Sequence, residues 1–237
     1  MATVQPNQRV IMISGANRGI GRATMLELAQ RGYRLSLGAR DPASLDLTGI
    51  ESEVMSFQWD ATKAADSTAW VAATLAHFGQ IDGLVLNAGV MVQVSIEDDR
   101  EPELDKMWDV NFKGPLRLIR AALPALKECG HGRIVNIVSL AGVRVLSADN
   151  LGYSASKFAA MALTHAVRQK GWDDGIRATA ICPGLVETDM THGISPPKGQ
   201  FKMAPDAIAA TVAYALSLPN DASVAEILVN SRLEAAL

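Results

Sequence analysis

Short apolar runs alternate with longer segments of helical period along almost the whole chain, and this alternation most constrains the fold. The runs are 10–14, 35–39, 54–60, 83–87, 133–139, 177–182 and 226–229, rich in Val, Ile and Leu. Each reads as a strand buried on both faces. Between them, 20–31, 67–78, 104–127, 153–170 and 205–216 carry apolar residues at helical spacing. Strand-helix alternation of this kind predicts βαβ units with right-handed crossovers. The expected fold is α/β: a single Rossmann-like, doubly wound parallel sheet with helices on both faces and its ligand at the carboxyl ends of the strands.

Composition narrows the class. The 237 residues hold 22 Lys plus Arg against 25 Asp plus Glu, and 49% are hydrophobic. Such a chain can bury one large core, and neither disorder nor a second domain is expected. With a net charge of −3 and interspersed signs there is no basic stripe for nucleic acid and no polybasic cluster for a membrane surface. Cys129 and Cys182 form no disulfide framework or CxxC pattern, and suit a reducing compartment. The N-terminal residues lack a signal-peptide hydrophobic region, no apolar stretch approaches the ~20 residues of a membrane span, and a cytoplasmic location is expected.

The first strand leads into Ser14-Gly15-Ala16-Asn17-Arg18-Gly19-Ile20-Gly21, a glycine loop opening the first helix. Backbone N–H groups at a helix start can face a pyrophosphate, and glycines allow the close approach. The spacing is GxxxGxG, which other βα turns also carry, so position after the first strand lends it most of its weight. The second strand ends Gly38-Ala39-Arg40, without the carboxylate that would hold the ribose 2′-hydroxyl of NAD. Arg18 and Arg40 can flank a 2′-phosphate, which favours NADP(H), with NAD(H) possible. The alternative is two solvated loop arginines, with Asp41 pairing Arg40 or partly restoring NAD binding.

Ser139 ends a strand, and Tyr153 and Lys157, at i and i+4, share one face of the helix that follows. An ammonium beside a phenol favours the phenolate, which suits a general acid/base near neutral pH. A nearby serine hydroxyl can polarise a carbonyl oxygen. Alone, Tyr-x-x-x-Lys is more often a snorkelling lysine beside a half-buried aromatic.

In combination these residues resemble the short-chain dehydrogenase/reductase family over most of the chain. The resemblance rests on the glycine loop Ser14 to Gly21, Asp60 after the third strand, Asn87-Ala88-Gly89 after the fourth, Asn111, Ser139, Tyr153 with Lys157, and Pro183-Gly184 with Thr188. It implies that Tyr153 gives and takes the proton, Lys157 lowers its pKa and binds the nicotinamide ribose, Ser139 orients the substrate carbonyl and Asn111 holds a water in the relay. It also implies a cofactor site of Gly15, Asn17, Arg18, Gly19, Ile20, Gly21, Arg40, Asp60, Asn87, Ala88, Gly89, Tyr153, Lys157, Pro183, Gly184, Val186 and Thr188. In that site Asp60 contacts adenine and Thr188 the carboxamide. The chain departs from the family pattern at Ser14, at Leu86 and in lacking an Asp-Gly-Gly ending.

The expectation is one domain over 1–237, reducing or oxidising a small or medium carbonyl/alcohol pair, as a carbonyl reductase does. The irregular stretch from Pro183 to Met203 is the candidate substrate loop, at about 184–203. Met91, Ala141, Val143, Leu146 and Met190 are the candidate substrate contacts, with Val92 beside them. The four histidines share no metal-ligand spacing, and no catalytic metal is expected. His192 and Arg144 read as solvated residues as readily as substrate contacts, Cys182 as a small buried hydrophobe, and the tryptophans as packing residues. The resemblance implies assembly as a homodimer or homotetramer, and the apolar residues of 104–127 and 153–170 support a homo-oligomer. A non-catalytic NADP(H)-binding regulator is the competing reading, and a methyltransferase a third.

Overall fold

A computed structural model describes residues 5–196, 201–231 and 233. Among the described residues, seven strands form one sheet: β1 (Val10–Ser14), β2 (Arg34–Ala39), β3 (Val54–Gln58), β4 (Gly83–Leu86), β5 (Arg133–Ile137), β6 (Arg177–Pro183) and β7 (Glu226–Val229). Their order is β3-β2-β1-β4-β5-β6-β7, and every pairing is parallel. The chain reverses direction across the sheet between β1 and β4, so their loops part at the carboxyl edge and leave a crevice there.

Side-chain alternation along the central strands supplies both faces of the core. Ile11 and Ile13 of β1 face one side, with Met25 and Leu28 of α1 (Gly19–Gln30) and Ile208, Val212 and Leu216 of α6 (Pro205–Ser217). Met12 faces the other, with Trp70 of α2 (Ala64–Phe78), Leu118 and Ala122 of α4 (Gly114–Glu128) and Leu163 of α5 (Leu151–Lys170). Burial of both faces is why the central strands read as continuous apolar runs.

Two expectations change. The outer strands are not buried on both faces: β3 exposes Ser56 and Gln58, and β7 exposes Glu226 and Leu228. Each has a neighbour on one side only, and the helices cover the middle of the sheet more fully than its edges. The stretch expected as one helix over 104–127 is broken into α3 (Glu101–Trp108), a π-helical turn Asp109–Lys113 and α4. The wider turn falls on Asn111, and such turns recur where a helix is adapted to a site. Residues 197–200 of the expected substrate loop and 234–237 of the C-terminus lie outside the described residues. No helix among the described residues is long and apolar enough to cross a membrane.

Candidate active site

A cleft of about 750 Å³ opens along the carboxyl edge of the sheet. At one end is the loop between β1 and α1. Gly15 has φ +68°, a conformation that side chains disfavour. A Cβ on Gly21 would overlap the Gly15 carbonyl and approach the Asn87 amide nitrogen to 2.5 Å, so only glycine lets the first turn of α1 lie against the loop. No side chain caps the N-terminus of α1. Its first N–H groups therefore carry the helix dipole's positive end without an internal partner, the chemistry that suits a pyrophosphate.

Ser14 and Asn87 hold this loop to the end of β4. The Asn87 amide donates to the carbonyl oxygens of Ser14 and Gly15, both at 3.0 Å, and the Ser14 hydroxyl accepts from the backbone N–H of Asn87 at 3.0 Å and Ala88 at 3.1 Å. Leu86, where many family members carry a second Asn, is buried among the apolar residues against α2 and α4.

The two arginines behave differently. Arg18 Nη1 lies 3.1 Å from Asp189 Oδ2 in an exposed ion pair that links the glycine loop to the loop after β6. Arg40 is exposed beside the cleft. Asp41 accepts the Ala43 N–H at 3.0 Å, capping the turn Pro42–Ser44. Asp60 takes both the backbone N–H and the hydroxyl of Thr62, at 2.9 and 2.8 Å, and the backbone bond above all holds its carboxyl below the ordinary range.

The catalytic candidates meet at the other end. Lys157, from α5, is buried, and its ammonium donates to the Ile137 carbonyl at 2.9 Å. It lies 5.7 Å from the centroid of the Tyr153 ring. Burial lowers the Lys157 pKa to about 8 and raises that of Tyr153 to about 12, a hydrogen bond with Ser139 partly opposing the second shift. In the protein alone, the phenol is therefore neutral and the ammonium charged at neutral pH, and desolvation outweighs the lowering expected for Tyr153. The Ser139 hydroxyl also accepts from the Ala141 N–H at 3.1 Å.

Asn111 stands behind the cleft. Its Oδ1 accepts from the Val90 N–H and its Nδ2 donates to the Val90 carbonyl and the Ser156 hydroxyl, all at 2.9 Å. The side chain thus joins the loop after β4 to α5, with both amide hydrogens engaged. Gly21 and Asn111 are outside the lining; the other expected cofactor and catalytic residues line the cleft. Among the substrate candidates, Met91, Ala141, Leu146 and Met190 line it. Val143 does not, packing instead against Val138, Leu140 and Ala160. Lys106, Asn150, Ser154, Ile194 and Phe201 line it without having been anticipated. Lys106 and Ser154 lie within helical stretches whose spacing does not mark them, whereas Ile194 and Phe201 fall inside the expected substrate loop and their apolar character was the available signal.

Arg144, His192 and Val92 lie outside the lining, whereas Trp59 both packs against Trp70 and contributes to it. Cys182 is buried, and burial pushes its thiol up to about 12. At the opposite edge of the sheet, Asp82, Cys129 and His131 bring potential ligand atoms within 4.8 Å of one another, a convergence from separate segments that ligand spacing does not reveal.

Comparison with known proteins bears on the family and the fold. The short chain dehydrogenase family model matches residues 9–199. An agropine synthesis reductase of Rhizobium rhizogenes is 41% identical over 226 residues, covering 94% of this chain and 52% of that protein, so the chain spans about half the length of that relative. An uncharacterized oxidoreductase of Staphylococcus saprophyticus is 36% identical over 235 residues, covering 93% of this chain and 95% of that protein. Among solved structures, an alcohol dehydrogenase from the archaeon Thermococcus sibiricus, complexed with 5-hydroxy-NADP, superposes with a TM-score of 0.87 at 33% identity, covering 96% of this chain and 99% of that one.

Proposed function

The chain belongs to the short-chain dehydrogenase/reductase family of NAD(P)-dependent oxidoreductases, and on that premise we propose that it reduces a carbonyl compound with NADPH, Tyr153 delivering the proton. The observation that carries this reading is the convergence of a neutral phenol, the Ser139 hydroxyl and a buried ammonium at one end of a cleft whose other end is an uncapped helix N-terminus. A regulator that only senses cofactor has no use for a proton donor so placed. This convergence also favours the oxidoreductase over a methyltransferase.

The residues present fit a nicotinamide dinucleotide. The α1 N-terminus would take the pyrophosphate, Asp60 the adenine side, Lys157 the nicotinamide ribose and Thr188 the carboxamide. When bound, the cofactor supplies the hydride. The chain's task is to hold the reacting carbon within ~3–3.5 Å of the donor and stabilise charge as it forms on oxygen. Ser139 would hydrogen-bond that oxygen, Tyr153 would protonate it, and the Lys157 ammonium would steady the phenolate left behind. Asn111 keeps the loop after β4 and helix α5 in register, so that Lys157 and Gly89 face the same space.

Preference for NADP(H) is supported by Arg40 at the end of β2, with the neighbouring Asp41 carboxylate engaged in its own turn. Arg18 would reach a 2′-phosphate by giving up its exposed pair with Asp189, a type of contact worth at most about 1 kcal/mol. Trp108 and Phe158, 40% and 42% exposed, support assembly as a homodimer or homotetramer through the helical faces that carry them. Light scattering should show a mass above one chain across the assayed concentrations; a single-chain mass throughout contradicts assembly.

The deciding experiment measures NADPH consumption with a broad carbonyl panel for the wild type and Tyr153→Phe. The variant should lose about 10²–10⁴-fold in turnover while still binding NADPH by fluorescence. Equal turnover in the two proteins overturns the mechanism. Binding of NADPH by a wild type that reduces no carbonyl favours the regulator.

A further inference from the structure

Four large apolar side chains that line the cleft stand open to solvent. Leu146 is 48% exposed in the segment after β5, and Met190, Ile194 and Phe201 are 41%, 39% and 66% exposed on the loop after β6. Large apolar side chains scattered singly on a surface need no explanation, but four lining one cleft beside a proton donor form a patch of the kind that marks a binding site.

The described backbone around Met190, Ile194 and Phe201 is tied by hydrogen bonds. Val186 and Met203 form a parallel bridge, flanked by hydrogen bonds from the Met203 N–H to the Leu185 carbonyl at 2.9 Å and from the Glu187 N–H to the Met203 carbonyl at 2.8 Å. The Ser231 hydroxyl donates to the Phe201 carbonyl at 2.8 Å, which fastens that residue to the segment after β7. Met190 sits in a one-turn helix closed by a reciprocal Thr188–Thr191 cap, and the Ile194 N–H bonds the Thr191 carbonyl at 3.0 Å.

Among the described residues of this loop, the charges of Lys202, Glu187 and Asp189 are engaged. Lys202 reaches the Thr191 carbonyl at 2.9 Å and Glu187 at 3.4 Å, and Asp189 pairs with Arg18. Among the described residues, the side chains of Leu146, Met190, Ile194 and Phe201 offer a substrate dispersion and water exclusion and carry no charge to recognise a carboxylate.

We propose that the substrate is a ketone or aldehyde bearing an extended apolar substituent, alkyl or aryl, which lies against Leu146, Met190, Ile194 and Phe201 while its carbonyl faces Ser139 and Tyr153. The inference rests on the oxidoreductase reading above and specifies its substrate class. Reduction moves a hydride from NADPH to the carbonyl carbon and a proton from Tyr153 to the oxygen, so that alcohol and NADP⁺ are the products.

The test follows NADPH consumption by the full chain with methyl ketones carrying ethyl, butyl and hexyl tails, and with pyruvate and dihydroxyacetone as polar carbonyls. Pyruvate is included because the Lys106 ammonium in the lining would favour a keto acid. kcat/KM should rise up to about fourfold per added methylene, equivalent to about 0.8 kcal/mol each, and exceed the polar carbonyls throughout. Leu146→Ser and Phe201→Ser should each flatten that slope to below about twofold per methylene, which is less than half the burial energy. NADPH binding and thermal unfolding are measured alongside to show that both variants are folded. A flat slope in the wild type, unchanged slopes in both variants, or preference for pyruvate or dihydroxyacetone overturns the proposal while leaving the oxidoreductase standing. Reduction of none of these carbonyls, including the panel above, counts against the oxidoreductase itself.

Discussion

The two edges of the sheet treat charge in opposite ways. At the amino edge, Asp82 is buried and accepts from the Val10 N–H and the Gln80 amide, both at 2.7 Å, and contacts His131 Nε2 at 3.0 Å. Arg9 bonds the Leu216 carbonyl at 2.6 Å, and Arg133 bonds the Leu218 carbonyl at 2.7 Å, so both close the C-terminal end of α6. Arg133 is lowered to about 10 by burial, with Arg9 and Arg177 adding to the effect, and nevertheless stays charged at neutral pH. At the carboxyl edge, Tyr153 and Lys157 are also displaced from their ordinary values, but there they line a cleft large enough for a ligand. Burial shifts titration at both edges. At the carboxyl edge the shifted groups converge on a deep cleft, whereas Asp82 and Arg133 at the amino edge spend their polar atoms on the fold itself, and it is the first arrangement that marks a candidate site.

Asp82→Asn should break the amino edge most severely, because a neutral amide oxygen is a weaker acceptor for the Val10 and Gln80 N–H groups than the buried carboxylate. A stability loss of about 3 kcal/mol is expected in urea unfolding, with kcat/KM of the folded protein unchanged. A matching loss of catalytic rate would dissolve the distinction between the edges.

Lys157 sharpens the comparison through pH. Its folded pKa of about 8 lies below the ordinary 10.5, so the unfolded chain binds more protons between those values and stability rises as pH increases through that window. Between pH ~7 and ~9.5 the wild type should gain on the order of 2 kcal/mol relative to Lys157→Met. Parallel stability curves for the two proteins would mean that the ammonium is not desolvated. Tyr153 has the opposite sign: its raised value makes the folded state lose stability as pH rises from about 10 to about 12.

The smallest expected effect is at Arg40, an exposed charge. Arg40→Ala should weaken NADPH binding by about tenfold while leaving NADH unchanged, measured by fluorescence titration. Equal weakening of both would assign Arg40 to the shared part of the cofactor.

Much of the scaffold was readable from local pattern. The first strand, 10–14, and the last, 226–229, coincide with the observed β1 and β7, because β-branched runs bounded by loop residues leave few other choices. The break at Asn111 was not readable: 104–127 keeps helical spacing throughout, and the π turn leaves that pattern intact. Nor was the direction of the Tyr153 shift, since it depends on how deeply the hydroxyl is buried. Val143 and Phe201 show the same limit for substrate contacts. Both are apolar residues in irregular segments; one turns into a small core cluster while the other faces the cleft.

The sequence by itself determined the strand-helix alternation, the glycine loop, the Ser139, Tyr153 and Lys157 set, and the absence of an acid at the end of β2. These are properties of residue type and near-neighbour spacing, which act through local geometry. The tertiary structure decided which charges were engaged and which faced space. It turned Arg18 toward Asp189, closed Asn111 against Val90 and Ser156, and brought Leu146, Met190 and Phe201 to one cleft. Such contacts join segments far apart in the chain, so they depend on how the helices pack on the sheet.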